Sequence, residues 1–180
     1  NMKKQDFNSK LFNLEKRTVI LTGSAGRLGS QYADTLCAAG ANVVLADKDS
    51  KKNKQLESRL KKKYNTRSIS YEVDISKKES IVKMKDFVLK KFGKIDILIN
   101  NAFYNPSQSK FSSASIEKYP LELWNEVLST NLTGVFLCTQ EIGNVMAKNK
   151  KGVIVNISSI YGITGADQRI YGKSKLNSPA

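Results

Sequence analysis

Val19-Ile20-Leu21-Thr22-Gly23-Ser24-Ala25-Gly26-Arg27-Leu28-Gly29 is the stretch whose reading decides the fold. A β-branched apolar run ends in Thr-Gly, passes through a glycine-rich turn and enters a helical pattern. A strand, a tight turn and a helix start turn backbone N–H groups towards a pyrophosphate, with the helix dipole behind them. In this reading Gly23 makes the tight turn, Gly26 allows close approach of phosphates, and Gly29 lets the helix pack closely on the strand. Ser24, Ala25, Arg27 and Leu28 complete the phosphate-facing loop. Glycines at a spacing of three also occur in ordinary loops, so the assignment rests on what surrounds them.

Outward from this stretch the pattern alternates. Leu28, Tyr32, Leu36 and Ala39 follow a period near 3.6 and predict a helix over 27–39, stopped by Gly40. Further strands are expected at 42–46, 68–73, 95–100 and 153–158, after a first one at 18–22. A second helix is expected over 51–64, capped by Asp49 or Ser50. Ser76-Lys77-Lys78-Glu79 reads as a capping box that opens a helix running to Phe92, stopped by Gly93. A long helical region over 121–149 is expected to bend near Asn131 to Gly134. The polar loop 102–118, rich in Ser, Asn and Lys, is the longest irregular stretch and a candidate substrate loop. Short apolar strands alternating with helices predict an α/β fold: a Rossmann-type doubly wound parallel sheet with helices on both faces. Residues 1–180 read as a single dinucleotide-binding domain, since no repeat or linker divides them.

The totals exclude several classes. The chain of 180 residues is 40% hydrophobic and carries a net charge of +14, from 30 basic and 16 acidic residues. Only Arg17, Arg27, Arg59, Arg67 and Arg169 among the basic residues are arginine. The lysines punctuate helix faces, as in Lys61-Lys62-Lys63, which reads as a solvated basic surface and not as a nucleic-acid site. The absence of histidine removes Ser-His-Asp and Cys-His mechanisms, and no metal site is expected. Cys37 and Cys138 lie far apart inside helical patterns, as buried reduced thiols of a cytoplasmic protein. No apolar run approaches the length of about 18 residues that a membrane span needs, and Asn1-Met2-Lys3-Lys4 opens no signal peptide.

Asp47 ends the second strand, where a carboxylate accepts hydrogen bonds from adenosine ribose hydroxyls. It repels a 2′-phosphate, so NAD is expected in preference to NADP, with Lys48 and Arg27 softening that preference. The competing role for Asp47 is a helix cap. Asp74 and Ile75 follow the third strand, within reach of an adenine edge, and Asp74 reads equally well as a turn residue. Asn100-Asn101-Ala102 close the fourth strand and can support the backbone beside a cofactor, although asparagine also favours turns.

Taken together, Thr22-Gly23 with its following glycines, Asp47, Asp74, Asn100-Asn101-Ala102, Asn131, Ser158-Ser159 and Tyr171-x-x-x-Lys175 resemble the short-chain dehydrogenase/reductase family over about residues 15–180. The resemblance implies an oxidoreductase that moves a hydride between a nicotinamide cofactor and the secondary alcohol or ketone of a small-molecule substrate. It implies a catalytic set of Ser159, Tyr171, Lys175 and Asn131, and a homo-oligomer, dimer or tetramer, built through the long helix near 121 and the helix bearing the Tyr-Lys pair. A phenol with a pKa of about 10 is a poor base at neutral pH, and an ammonium one helical turn away lowers it. Within that scheme Tyr171 moves the proton, Lys175 assists it, Ser159 holds the substrate oxygen and Asn131 supports a relay water.

The sequence departs from the family pattern in three places. Arg27 stands where a glycine is usual, with Gly26 one place early. Phe103 replaces the glycine after Asn-Asn-Ala. The sequence stops at Ala180, whereas family members run to about 250 residues, so a fold incomplete at its C-terminal part is expected. The T-G-x-A-G-x-L-G turn and the Ser-Ile-Tyr-Gly after the fifth strand resemble most the branch linked to flagellin modification and surface-sugar biosynthesis. In that branch an Ile-Tyr segment and a Ser-Pro precede the catalytic tyrosine, as Ile170-Tyr171 and Ser178-Pro179 do here. Two readings of Tyr171 therefore stand, catalytic phenol or substrate-loop residue. Two readings of function stand beside them: a dehydrogenase, and a nucleotide-binding module without catalysis.

Overall fold

The computed structural model describes residues 12–65, 67–106, 109 and 114–165. Five strands, β1 (Thr18–Thr22), β2 (Asn42–Asp47), β3 (Ile69–Glu72), β4 (Ile97–Asn100) and β5 (Val153–Asn156), form one sheet in the order β3-β2-β1-β4-β5. Every pairing is parallel. Ile20 lies opposite Val44 on one side and Leu98 on the other, and Asn100 lies opposite Asn156. The helices are α1 (Arg27–Ala38), α2 (Ser50–Lys63), α3 (Lys78–Phe92), α4 (Leu121–Leu128) and α5 (Val135–Lys148).

All five residues of β1 are buried, as the centre of a sheet covered on both faces requires. Alternation along the strands sorts the side chains into two cores. Ile20, Val44 and Leu98 pack with Ile81, Met84 and Val88 of α3 and Cys138, Ile142 and Met146 of α5. Val19, Leu21, Val43 and Leu45 pack with Ala33 and Cys37 of α1 and Leu56 and Leu60 of α2. The doubly wound arrangement follows directly. On the α1–α2 face, β4 and β5 are less covered: among the described residues no helix lies over Val153 and Val155, which are 56% and 40% exposed.

The helix ends show where local chemistry sets the boundaries. Asp49 caps α2 by accepting from Lys52 N–H at 2.9 Å. Gly93, with φ 75°, ends α3 in the left-handed conformation. The expected Ser76 capping box does not form. Ser76 Oγ donates to Asp74 Oδ1 at 2.6 Å, and the N-cap position falls on Lys77 without a side-chain cap. The carboxylate two residues back offers that hydroxyl a stronger acceptor. The expected bend in the long helix is a π-helical segment, Ser129–Gly134, between α4 and α5. There a Cβ on Gly134 would stand 2.8 Å from Ile75 Cδ1 and 3.1 Å from Ile75 O, so glycine lets the wound segment approach the loop after β3 without moving the Ile75 side chain. Among the described residues no helix is long and apolar enough to cross a membrane.

Candidate functional site

β1 pairs with β2 on one side and β4 on the other, so the chain leaves the sheet in opposite directions from neighbouring strand ends. Such a switch point opens a crevice outside the C-terminal strand ends. A cavity of about 730 Å³ occupies it. The glycine-rich loop and α1 start form one wall, Asp47 and Lys48 a second, Asp74 and Ile75 a third, and Asn101 to Tyr104 with Thr130 a fourth.

The glycine loop is shaped by close approach. Gly23 has φ 65°, and a Cβ there would lie 2.6 Å from Ala102 Cα. A Cβ on Gly29 would lie 2.0 Å from Gly23 O, so the first turn of α1 sits on the strand end only because that side chain is absent. Gly26 N–H donates to Gly23 O at 3.2 Å, which closes the turn. No side chain caps α1, and no acidic residue stands in its first turn. Its leading N–H groups thus have no side-chain acceptor at the cap, a geometry that suits an anion.

Thr22 and Asn101 tie β1 to β4. Thr22 Oγ1 accepts from Asn101 N–H at 3.0 Å and from Ala102 N–H at 3.1 Å, and it donates to Ile99 O at 3.3 Å. Asn101 Nδ2 donates to Thr22 O and Gly23 O, both at 3.1 Å. Asn100 reaches the other way, donating to Asn156 Oδ1 at 2.8 Å and so joining β4 to β5.

The two acids are held differently. Asp47 Oδ2 accepts from Ala25 N–H at 2.8 Å and Oδ1 from Asp49 N–H at 2.9 Å. Each oxygen keeps capacity for a further donor, such as a hydroxyl. Asp74 Oδ1 is occupied by Ser76, through N–H at 3.1 Å and Oγ at 2.6 Å. Burial pushes the Asp74 carboxyl up, but these bonds and the Lys48 and Lys77 charges outweigh it and hold the group below the usual carboxylate range.

Gly23, Ala25, Gly26, Arg27, Leu28, Gly29, Asp47, Asp74, Ile75, Asn101 and Ala102 thus line one cavity. Ser24 does not face it. Its side chain is fully buried, and Oγ donates to Asn53 Oδ1 at 2.8 Å. Asn53 in turn donates to Leu45 O at 2.6 Å and Tyr71 O at 3.4 Å. Asn53 is the supporting residue that sequence reasoning missed. Its signal was a polar side chain on the same face of α2 as buried Leu56 and Leu60.

Of the candidate catalytic residues, Asn131 and Ser159 are described, and neither is among the described residues that line the cavity. Asn131, in the π-helical segment, accepts from Tyr104 N–H at 2.8 Å and donates to Tyr104 O at 3.0 Å. Both ends of its amide hold the loop after β4, and each keeps capacity for one further hydrogen bond. Ser159 is exposed, and its Oγ accepts from Tyr161 N–H at 3.2 Å at the start of a short 3₁₀ turn, Ile160–Gly162. Tyr171 and Lys175 lie outside the described residues. Among the described residues no group of acidic or cysteine side chains is arranged to hold a metal.

Known proteins resemble this chain in sequence and in fold. The family described as short chain dehydrogenase matches residues 17–177. The chain is 32% identical over 152 residues to 3-oxoacyl-(acyl-carrier-protein) reductase FabG of Aquifex aeolicus, covering 84% of this chain and 59% of that protein. It is 33% identical over 162 residues to the dehydrogenase subunit BbsD of Thauera aromatica, covering 90% of this chain and 62% of that protein. The chain therefore spans about three fifths of the length of these relatives. Its fold superposes on a xylitol dehydrogenase bound to NAD+ with a TM-score of 0.76 and 27% identity, covering 91% of this chain and 60% of that one. A short-chain oxidoreductase in complex with NADP gives a TM-score of 0.75 and 26% identity, covering 83% of this chain and 65% of that one. Fold, glycine-loop geometry and sequence agree: the chain belongs to the short-chain dehydrogenase family.

Proposed function

We propose that the protein transfers a hydride between NAD(H) and a secondary alcohol or ketone. The observation that carries this reading is the Asp47 carboxylate, fixed by Ala25 N–H and Asp49 N–H beside an uncapped helix start. That pairing accepts ribose hydroxyls and a diphosphate together, and it disfavours a 2′-phosphate, so NAD is preferred to NADP. The nicotinamide supplies the hydride chemistry. In this proposal Ser159 holds the substrate oxygen, Tyr171 moves the proton, and Lys175 lowers the phenol pKa. Asn131 acts by fixing Tyr104, which lines the cavity. Family resemblance to the branch acting in surface-sugar biosynthesis suggests a sugar or nucleotide-sugar substrate.

A second reading is a nucleotide-binding module without catalysis. It is favoured by the position of Ser159, which is not among the residues lining the cavity. One experiment separates the two. The protein is mixed with NADH and a panel of ketones that includes keto-sugars, and NADH consumption is followed. The dehydrogenase reading predicts turnover that falls at least about a hundredfold in Ser159→Ala, the scale of a lost hydrogen bond to the reacting oxygen. Tyr171→Phe is expected to match it, and full kcat in that variant would place the catalytic tyrosine elsewhere. NADH binding without turnover on any substrate would establish the second reading instead.

A further inference from the structure

Arg27 is out of place electrostatically. It is the first residue of α1, where the helix dipole disfavours a cation, and no acidic side chain in that turn compensates. Among the described residues no carboxylate forms a salt bridge with it. The side chain is exposed and lines the cavity. The other cations on the wall are placed differently. Lys52 pairs with Asp49 at 3.1 Å, and Lys48 acts on Asp74. Asp47, which lies against the same loop, is held by backbone N–H groups and leaves Arg27 unneutralised.

Resting on the nucleotide-binding reading, we infer that the Arg27 guanidinium clamps the diphosphate of the bound nucleotide from the helix start. The helix supplies N–H groups and a positive dipole end at this point, and the guanidinium adds a planar fork that matches two phosphate oxygens. Where a glycine would let phosphate approach bare backbone, this chain gains a charged contact in its place. The diphosphate is the target in preference to a 2′-phosphate. The ribose wall is occupied by Asp47, whose charge opposes a phosphate there, whereas the start of α1 carries no acidic residue. An unbound cation at the wrong helix end lowers stability, so Arg27 exchanges stability of the free chain for affinity.

The test is calorimetric titration of NAD, NADP and adenosine into the chain and into Arg27→Gln, with thermal melting of the free chain and of Arg27→Glu. Arg27→Gln is expected to weaken NAD and NADP by the same factor, about tenfold for a charge-assisted phosphate contact, and to leave adenosine unchanged. Arg27→Glu is expected to melt at the same or a higher temperature than the wild type while losing NAD. NADP weakened more than NAD would overturn the proposal by assigning Arg27 to the 2′-phosphate. Unchanged affinities would reduce it to a solvated surface charge. Failure of the wild-type chain to bind any of the three would remove the nucleotide reading itself, and this role with it.

Discussion

Asp47 commits both carboxylate oxygens to the backbone, and this makes it more than a recognition group. By accepting from Ala25 N–H it holds the glycine loop against the end of β2. Asp47→Ser is therefore expected to weaken NAD by about tenfold, the scale of charge-assisted hydrogen bonds, and to bring NAD and NADP affinities together. Competition titration of the two nucleotides reads both effects. Gly29 is as constrained by space as Asp47 is by charge. Gly29→Ala would drive a Cβ to 2.0 Å from Gly23 O, so the loop must move. An overpacking cost of about 1–3 kcal/mol is expected, read by urea denaturation. Cys138 illustrates the opposite face of burial. It is fully enclosed between α5 and the sheet, and burial pushes its thiol up to about 12. With Cys37 also buried, the native chain is expected to show no fast reaction with a thiol reagent at pH 8, and both thiols should react after denaturation.

At the scale of elements, the supports of the site are long-range hydrogen bonds. Ser24, Asn53, Leu45 and Tyr71 join the glycine loop to α2, β2 and β3 in one buried network. Asn53→Ala strands the buried Ser24 hydroxyl, for which about 1–3 kcal/mol of destabilisation is expected. Ser24→Ala is expected to cost less, and the double mutant less than the sum of the two, as residues of one network do. The strands, the order of helices and the glycine turn were legible in the sequence, because hydrophobic period and glycine position are local signals. The Asp49 cap was legible for the same reason. Ser76 was misread because a capping-box pattern does not reveal that Asp74 competes for the same hydroxyl. The reciprocal Asn131–Tyr104 pair joins residues far apart in sequence, and no periodicity encodes it. The bend was anticipated, but not its π-helical winding, which no hydrophobic period distinguishes from an α-helical turn.

For the whole molecule, acidic groups with lowered pKa values set the response to pH. Burial pushes the Asp96 carboxyl up, but Thr18 N–H, the Lys94 ammonium and the Arg17 guanidinium outweigh this and hold it below the usual range. Asp34, Glu57 and Asp74 are shifted the same way. For each, the folded pKa lies below the unfolded one, so the contribution is complete above the ordinary carboxylate range and is lost as pH falls through the depressed values. Urea midpoints are expected to hold steady above about pH 5 and to drop below about pH 4, with Asp96→Asn flattening part of that drop. Assembly is a second property at this scale. Leu121, Leu132 and Phe136 are 66%, 64% and 59% exposed along the α4–α5 region. We propose that this face pairs copies of the chain, in keeping with how exposed apolar patches are used. Sedimentation should show a dimer or larger assembly that Phe136→Glu shifts towards monomer.

The proposed function stands or falls on whether the cavity at the β1–β4 switch point takes a dinucleotide. Titrating NAD into the wild-type chain by calorimetry tests this most directly. The expected result is one saturable site per chain, weakened in Asp47→Ser. No binding of NAD, NADP or ADP by a folded chain would contradict the account.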